Sequence, residues 1–186
     1  MNIKPRKLTG TFEISLNPLT DDRGFFMRTF DDTIFQEHGM TTAWVQENHS
    51  RSEKKWIIRG LHFQCPPYAE TKLVRCIRGA VLDVFVDLRL GSATFGRWDS
   101  IELSEENKKA IYIPRGFAHG FCTLTDISEI LYKVDNYYSK ESEAGIAWND
   151  KEIGIDWRAT KPVLSEKDQN NLSFETFIDR YKGISV

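Results

Sequence analysis

The run VLDVFVDLRL, residues 81–90, alternates along its whole length. Leu82, Val84, Val86 and Leu88 fall on one side of an extended chain, and Val81, Asp83, Phe85, Asp87 and Arg89 on the other. KLVRCIRG (72–79) precedes it, with Gly79 supplying the turn between the two. WDSIEL (98–103), KKAIYIP (108–114), GFCTLT (120–125) and EILYKVDNYY (129–138) continue the series. They recur at intervals of about a dozen residues, the rhythm of a sandwich or barrel. A chain of short strands must hide its edges, and a closed or double-sheet jelly roll does so. The expected fold is therefore all-β, a jelly-roll barrel with a few short helices.

Outward from this centre the pattern weakens. LTGTFEIS (8–15) alternates enough for an edge strand, and DDRGFFMRTF (21–30) reads as a turn followed by more extended chain. DDTIFQEHG (31–39) predicts one short helix, with Asp31 or Asp32 as N-cap and Gly39 as terminator. Near the other end, Leu172, Phe174, Phe177 and Ile178 stand at helical spacing, and Ser165 followed by Asp168 resembles a capping box. No internal repeat or low-complexity linker interrupts the chain. We expect one domain over 1–186, with N-terminal strands in 1–56, a barrel core in 57–157 and a helical tail in 158–186.

The chain has 186 residues, 40% hydrophobic and 28% charged, which is ordinary globular composition. A net charge of −2 and a pI near 6.1 argue against nucleic acid as the main partner. No apolar run approaches the roughly 18 residues that span a membrane, and the basic opening lacks the apolar core of a signal peptide. Cys65, Cys76 and Cys122 form no CxxC pair and read as free thiols in a reducing compartment. The expected location is cytoplasmic.

IIRGLHFQ (57–64) is the stretch where chemistry enters. Strict alternation puts Arg59 and Leu61 on one face and Ile58, Gly60 and His62 on the other. Gly60 leaves room beside His62 for something to approach. An imidazole accepts a proton near neutrality if its tautomer is held, although a polar pair satisfied within a strand is the plainer reading. Lys72 begins the next strand on the face of Val74 and Cys76, an odd place for an ammonium, and a turn at CPPYAET would bring it beside His62. Tyr132 shares an inward face with Ile130 and Val134. Its phenol is either a core group with a bonded hydroxyl or a proton donor. IPRGFAHGF (113–121) reads as a turn bearing a half-exposed His119, or as a charged mouth in which Arg115 and His119 meet an anion.

A metal site is not expected. The four histidines stand at 38, 49, 62 and 119, none forms an HxH pair because residue 64 is Gln, and three ligands at workable spacing are missing. Phosphate loops of the GxxxxGK[ST] and GxGxxG types are absent. Arg23 and Arg59 each precede a glycine, and guanidinium forks suit diphosphate oxygens.

Eight segments in order carry a resemblance: DDRGFF, VQENHSRS, RGLHFQ, KLVRCIRG, DVFVDLR with GSATFGRW, ELSEENKKAIYIPRGFAHGF, EILYKVDNYYS, and GIAWND with IGIDW. From about residue 20 to 168 the chain resembles the dTDP-4-dehydrorhamnose 3,5-epimerase family. The resemblance implies a cupin-type jelly roll, usually a homodimer, working without metal or redox cofactor on a nucleotide-diphosphate-linked 4-keto-6-deoxyhexose. Removing the C3 or C5 proton beside the C4 ketone gives an enolate. Reprotonation from the opposite face inverts the centre. By resemblance His62 is the base, oriented by Asp168, which could instead serve as a helix cap. Lys72 stabilises the enolate oxygen and Tyr132 returns a proton, mainly at C5. Arg23, Gln46, Asn48, Arg59, His119, Glu143 and Lys167 match binding positions, and Phe26 and Tyr138 match an aromatic pair that clasps the base. Arg28 departs from the family acid in GFFxE. An arginine only donates, so a base or phosphate offering acceptors, such as a cytidine nucleotide, competes with thymidine as the expected ligand. Inversion at a single carbon is also compatible with these residues, as is a non-catalytic module that only binds a sugar nucleotide. A metal-dependent dioxygenase of this fold is the least favoured.

Overall fold

The structure, a computed structural model, describes residues 1–186. In chain order it comprises β1 (Asn2–Pro5), β2 (Phe12–Ser15), β3 (Leu19–Asp21), β4 (Gly24–Phe26), α1 (Asp32–Glu37), β5 (Gln46–Ser52) and β6 (Ile58–Gln64). Then follow β7 (Lys72–Arg78), β8 (Ala80–Asp87), β9 (Trp98–Ser104), β10 (Lys109–Ile113), β11 (Phe117–Thr123), β12 (Ser128–Val134) and β13 (Glu143–Gly145). Two short helices, α2 (Glu166–Gln169) and α3 (Phe174–Tyr181), end the chain. One antiparallel sheet runs β1-β2-β10-β7-β12-β5 and a second runs β13-β6-β11-β8-β9, giving the expected all-β double-sheet jelly roll. A separate hairpin pairs β3 with β4. No helix is long and apolar enough to cross a membrane.

The two faces of β8 explain the layering. Val81 and Phe85 join Val74, Ile111 and Ile130 in a cluster between the sheets. Leu82, Val84, Val86 and Leu88 face the other way, into a cluster that the tail closes with Trp157, Phe174 and Phe177. A third cluster lies outside the six-stranded sheet, where Phe35 of α1 packs against Ile14, Leu73 and Tyr112. Both sheets are thus buried on both faces over much of their area, and the apolar alternation of 81–90 is doubled for that reason.

Two expectations about the strands are corrected, and the turn at Gly79 holds with a different consequence. Gly79, at φ +69°, does turn the chain, but β7 and β8 do not pair: the turn carries the chain from one sheet to the other. Residues 8–11 are not extended; β2 begins at Phe12 and lies between β1 and β10, so the edge strand is β1. β11 begins at Phe117, which places His119 inside a strand and not in a turn. α1 follows expectation, with Asp31 as N-cap accepting from the Ile34 N–H and Gly39 at φ +67° after its last turn. The three cysteines are unpaired, and burial pushes the thiols of Cys76 and Cys122 up to about 11.

Candidate active site

Strict alternation fails in β6, and the failure builds the site. Opposite β11, His62 pairs with His119, Arg59 with Phe121 and Ile58 with Cys122, so Gly60 and Leu61 together face Gly120 alone. This β-bulge shifts the pleat by one residue. Ile58, Leu61 and Phe63 go outward into the tail cluster. Arg59 and His62, placed on opposite faces by strict alternation, both line one cavity between the sheets. Glycine is required here on two counts. Gly60 holds φ +119°, and a Cβ on it would lie 2.7 Å from both Gly120 Cα and the His119 carbonyl oxygen. What approaches beside His62 is therefore the backbone of β11, and Gly120 reciprocates, since a Cβ there would lie 2.6 Å from the Arg59 carbonyl oxygen.

The cavity encloses ≈ 290 Å³. Arg59, His62 and His119 enter it from the five-stranded sheet, Lys72 and Tyr132 from the six-stranded sheet, and Lys167 and Asp168 from α2. A larger concavity of ≈ 420 Å³ beside Thr9, Arg89 and the last three residues holds none of the expected site residues.

His62 Nε2 lies 2.6 Å from Asp168 Oδ1. Burial pushes the Asp168 carboxyl up, but hydrogen bonds from His62 and Ser165 outweigh it and hold the group below its ordinary 3.8. An ionised Asp168 accepts from Nε2–H, which leaves Nδ1 as the basic nitrogen of the ring. The choice between helix cap and dyad partner resolves by a division of labour. Ser165 Oγ caps α2 by accepting from the Asp168 backbone N–H at 3.1 Å, and the Asp168 side chain, not needed as the cap, reaches His62. Across the cavity the Lys72 ammonium lies 5.9 Å from the Tyr132 ring centroid and 3.0 Å from Glu70 Oε1.

His119 is buried, its Nε2 2.9 Å from Asp83 Oδ2. Burial pushes the Asp83 carboxyl up, against the opposing pull of His119 and Lys72, and Asp83 Oδ1 has no partner. Arg115 does not join a charged mouth with His119. It lies outside the cavity, paired with Asp135 at 3.2 Å. Sequence reasoning misses Asp83 and Glu70; the signal available for Asp83 was an acid between the inward-facing Val81 and Phe85 of β8, and Glu70, in a loop, gave none.

The remaining expected binding residues divide into two groups. Tyr138 is exposed; its hydroxyl donates to Glu143 Oε2 at 2.9 Å, and Lys167 Nζ reaches Glu143 Oε1 at 2.6 Å. Gln46 Oε1 accepts from the Tyr138 backbone N–H at 2.9 Å, and Asn48 stands opposite Tyr132 across β5 and β12. Arg59 is steadied by Ser52 Oγ and the Arg51 carbonyl. Of these residues Arg59 and Lys167 line the cavity, and the others are tied to it through contacts that lead to Lys167 or pairing with Tyr132. The second group sits apart from it within the single chain. Arg23 pairs with Asp21 on the β3–β4 hairpin, Phe26 is 68% exposed there and touches no other ring, and Arg28 donates to Asp31 Oδ2 at 2.9 Å. Phe26 and Tyr138 therefore form no clasp within one chain. Arg28 supports the N-cap of α1 instead of facing the cavity. No cluster of three His, Cys, Asp or Glu side chains is arranged to hold a metal.

Comparison with known proteins identifies the family and the fold. The family described as dTDP-4-dehydrorhamnose 3,5-epimerase matches residues 5–176. The dTDP-4-dehydrorhamnose 3,5-epimerase of Escherichia coli is 46% identical over 181 residues, 96% of this chain and 97% of its own. The dTDP-4-dehydrorhamnose 3-epimerase of Streptomyces niveus is 36% identical over 173 residues, 92% of this chain and 83% of its own. Among solved structures, the dTDP-6-deoxy-D-glucose-3,5-epimerase of Legionella pneumophila, in complex with dTDP-4-keto-L-rhamnose, superposes with a TM-score of 0.92. It is 39% identical and covers all of this chain and 98% of its own. With a family match over most of its length and relatives of this similarity, the chain belongs to the dTDP-4-dehydrorhamnose 3,5-epimerase family.

Proposed function

We propose that the cavity carries out epimerisation at C3 and C5 of a dTDP-linked 4-keto-6-deoxyhexose, with His62, Lys72, Tyr132 and Asp168 as its working groups. One observation supports this reading above the others: an Asp168-held imidazole on one sheet shares a cavity of ≈ 290 Å³ with an ammonium and a phenol from the other. His62 Nδ1 takes the proton from C5. The C–H electron pair forms a C4–C5 double bond and the carbonyl π pair moves onto O4, where Lys72 meets the developing charge. Tyr132, on the opposite wall, returns a proton to the far face of C5 while the enolate collapses to the ketone. C3 reacts by the same route. Arg59 and Lys167 offer positive charge to the diphosphate, His119 offers its imidazole as a hydrogen-bonding group, and Tyr138, steadied by Gln46 and Glu143, offers a face to the base.

The second binding group bears on assembly. Arg23, Phe26 and Arg28 are carried by or follow an exposed hairpin, and their side chains would serve this cavity from a second copy of the chain. We therefore read the protein as a homodimer, each chain one jelly-roll domain completed by its neighbour's hairpin. A mixture of His62→Ala and Arg23→Ala chains then regains activity that neither has alone, and the absence of any regain removes the hairpin from the neighbouring site.

The chemistry is tested in D2O with the dTDP-linked 4-keto-6-deoxyglucose compound. Label enters C5 and C3, and His62→Ala lowers exchange by about 10²–10⁴-fold. Persistent exchange in that variant removes His62 from its role. Because one relative is a 3-epimerase, label confined to C3 assigns single-carbon inversion instead.

A further inference from the structure

Two residues beyond His62 on β6, Gln64 is held at both ends of its amide by groups outside its own strand. Its Oε1 accepts from the Ser139 backbone N–H at 2.7 Å. Its Nε2 faces three oxygens: the Tyr68 carbonyl at 2.9 Å, Glu70 Oε2 at 3.1 Å and the Tyr137 carbonyl at 3.2 Å. This fixes the orientation of the amide, because the flipped form would set oxygen against three oxygens and nitrogen against an N–H. The residue is 5% exposed, so a broken contact is not replaced freely by water.

Glu70 carries the connection onward. One carboxylate oxygen takes the Gln64 amide and the other takes the Lys72 ammonium at 3.0 Å. With Oε2 occupied, Glu70 holds Lys72 through Oε1. An ammonium has three N–H donors, so two remain for the cavity. We infer that Gln64 is a positioning residue, which through Glu70 aims the Lys72 ammonium at the oxygen that gains charge during the reaction. The loops themselves do not depend on Gln64 alone. Asn136 Nδ2 donates to the carbonyls of Pro67 and Ala69, and the Thr71 N–H donates to Asp135 Oδ1. Replacing the amide therefore disturbs the aim of Glu70 before it disturbs the fold. The inference rests on Lys72 stabilising the enolate oxygen, and deepens that reading by naming what holds the lysine.

The experiment compares Gln64→Met, Glu70→Ala and the double variant, with Lys72→Ala alongside, by kcat, KM and deuterium exchange at C5. Gln64→Met keeps the length of the side chain and lacks its donors and acceptor. Because misplacement of a reacting group by about 1 Å costs up to ~10²-fold, kcat falls roughly 10–100-fold in Gln64→Met and in Glu70→Ala, with KM little changed. The double variant is no slower than the worse single one, since both act through one path. Should Gln64→Met fail to fold, Glu70→Ala against Lys72→Ala reads the same path without disturbing the Ser139 contact: its loss of kcat vanishes in the Lys72→Ala background. Independent, multiplying losses, or kcat within about twofold of the parent, overturn the role of Gln64 alone. A Lys72→Ala variant with full exchange overturns the reading of Lys72 and takes this inference with it.

Discussion

An imidazole pinned at Nε2 has one nitrogen left to work with, and at His62 that pin is the Asp168 carboxylate. Asp168→Asn keeps the size of the side chain but removes the charge that selects the tautomer and steadies the protonated ring. We expect kcat to fall about 10²–10⁴-fold with thermal stability little changed, measured by turnover and thermal melting of the same preparation. A loss of no more than a few-fold would make the pair structural. Asp83 sits on the same sheet with a different problem. It is fully buried and one oxygen is unpartnered, so its ionised form depends on His119 and on the nearby Lys72 charge. Of this second His–Asp pair, His119 lines the same cavity from β11, with Asp83 behind it on β8.

The β6–β11 pair and α2 are the elements on which the site depends. Gly60→Ala would force a side chain into a backbone gap of 2.7 Å at φ +119°. Backbone strain and overpacking together cost about 2–5 kcal/mol, read as a lowered urea midpoint. Because the bulge places Arg59 and His62 on one face, epimerisation should be lost beyond what lost stability explains. At α2, Ser165→Ala removes the cap that orients Asp168 and costs about 1 kcal/mol. Since α2 is only a turn long, the expected result is a lower kcat from a looser dyad with a modest shift in melting temperature. An unchanged kcat would show that Asp168 is positioned without its cap.

At the scale of the whole molecule, the tail seals one sheet and the charges set the acid limit. Phe177 is fully buried against Phe63, Phe174 and Tyr181, and Phe177→Ala should cost about 3–5 kcal/mol in denaturant unfolding. Four carboxylates are raised by burial yet held lower overall by their partners: Glu13 by Lys109 and Arg6, Asp87 by Arg89, Ser92 and Thr94, Glu143 by Lys167 and Tyr138, and Asp168 by His62 and Ser165. Each binds its proton less readily folded than unfolded. Its stabilisation is complete above the unfolded values of 4.5 for Glu and 3.8 for Asp and is lost as pH falls through the lower folded values. Asp83, raised by burial, has the opposite sign and partly offsets the loss. Urea midpoints should therefore decline as pH drops below the ordinary carboxylate range, and a midpoint that rises there would contradict these pairings.

Much of this architecture was legible along the chain. The two faces of 81–90, the helix between Asp31 and Gly39, and the inward aim of Lys72 and Tyr132 follow from local periodicity and capping chemistry, which neighbouring residues decide among themselves. Asp168 was assigned through family resemblance, because spacing alone cannot connect residues 106 positions apart. Other features were beyond local reading. Alternation assumes an unbroken ladder, so it could not show that two glycines from different strands meet at Gly60 and reverse the pleat. Nor could it show that His119 lies within a strand against a buried acid, or that the hairpin bearing Arg23 and Phe26 stands away from its own cavity. Periodicity and caps are short-range properties that the sequence alone determined. Which backbones touch, and which side chains share a cavity, was decided only when the two sheets closed on each other, because those contacts join segments the chain keeps far apart.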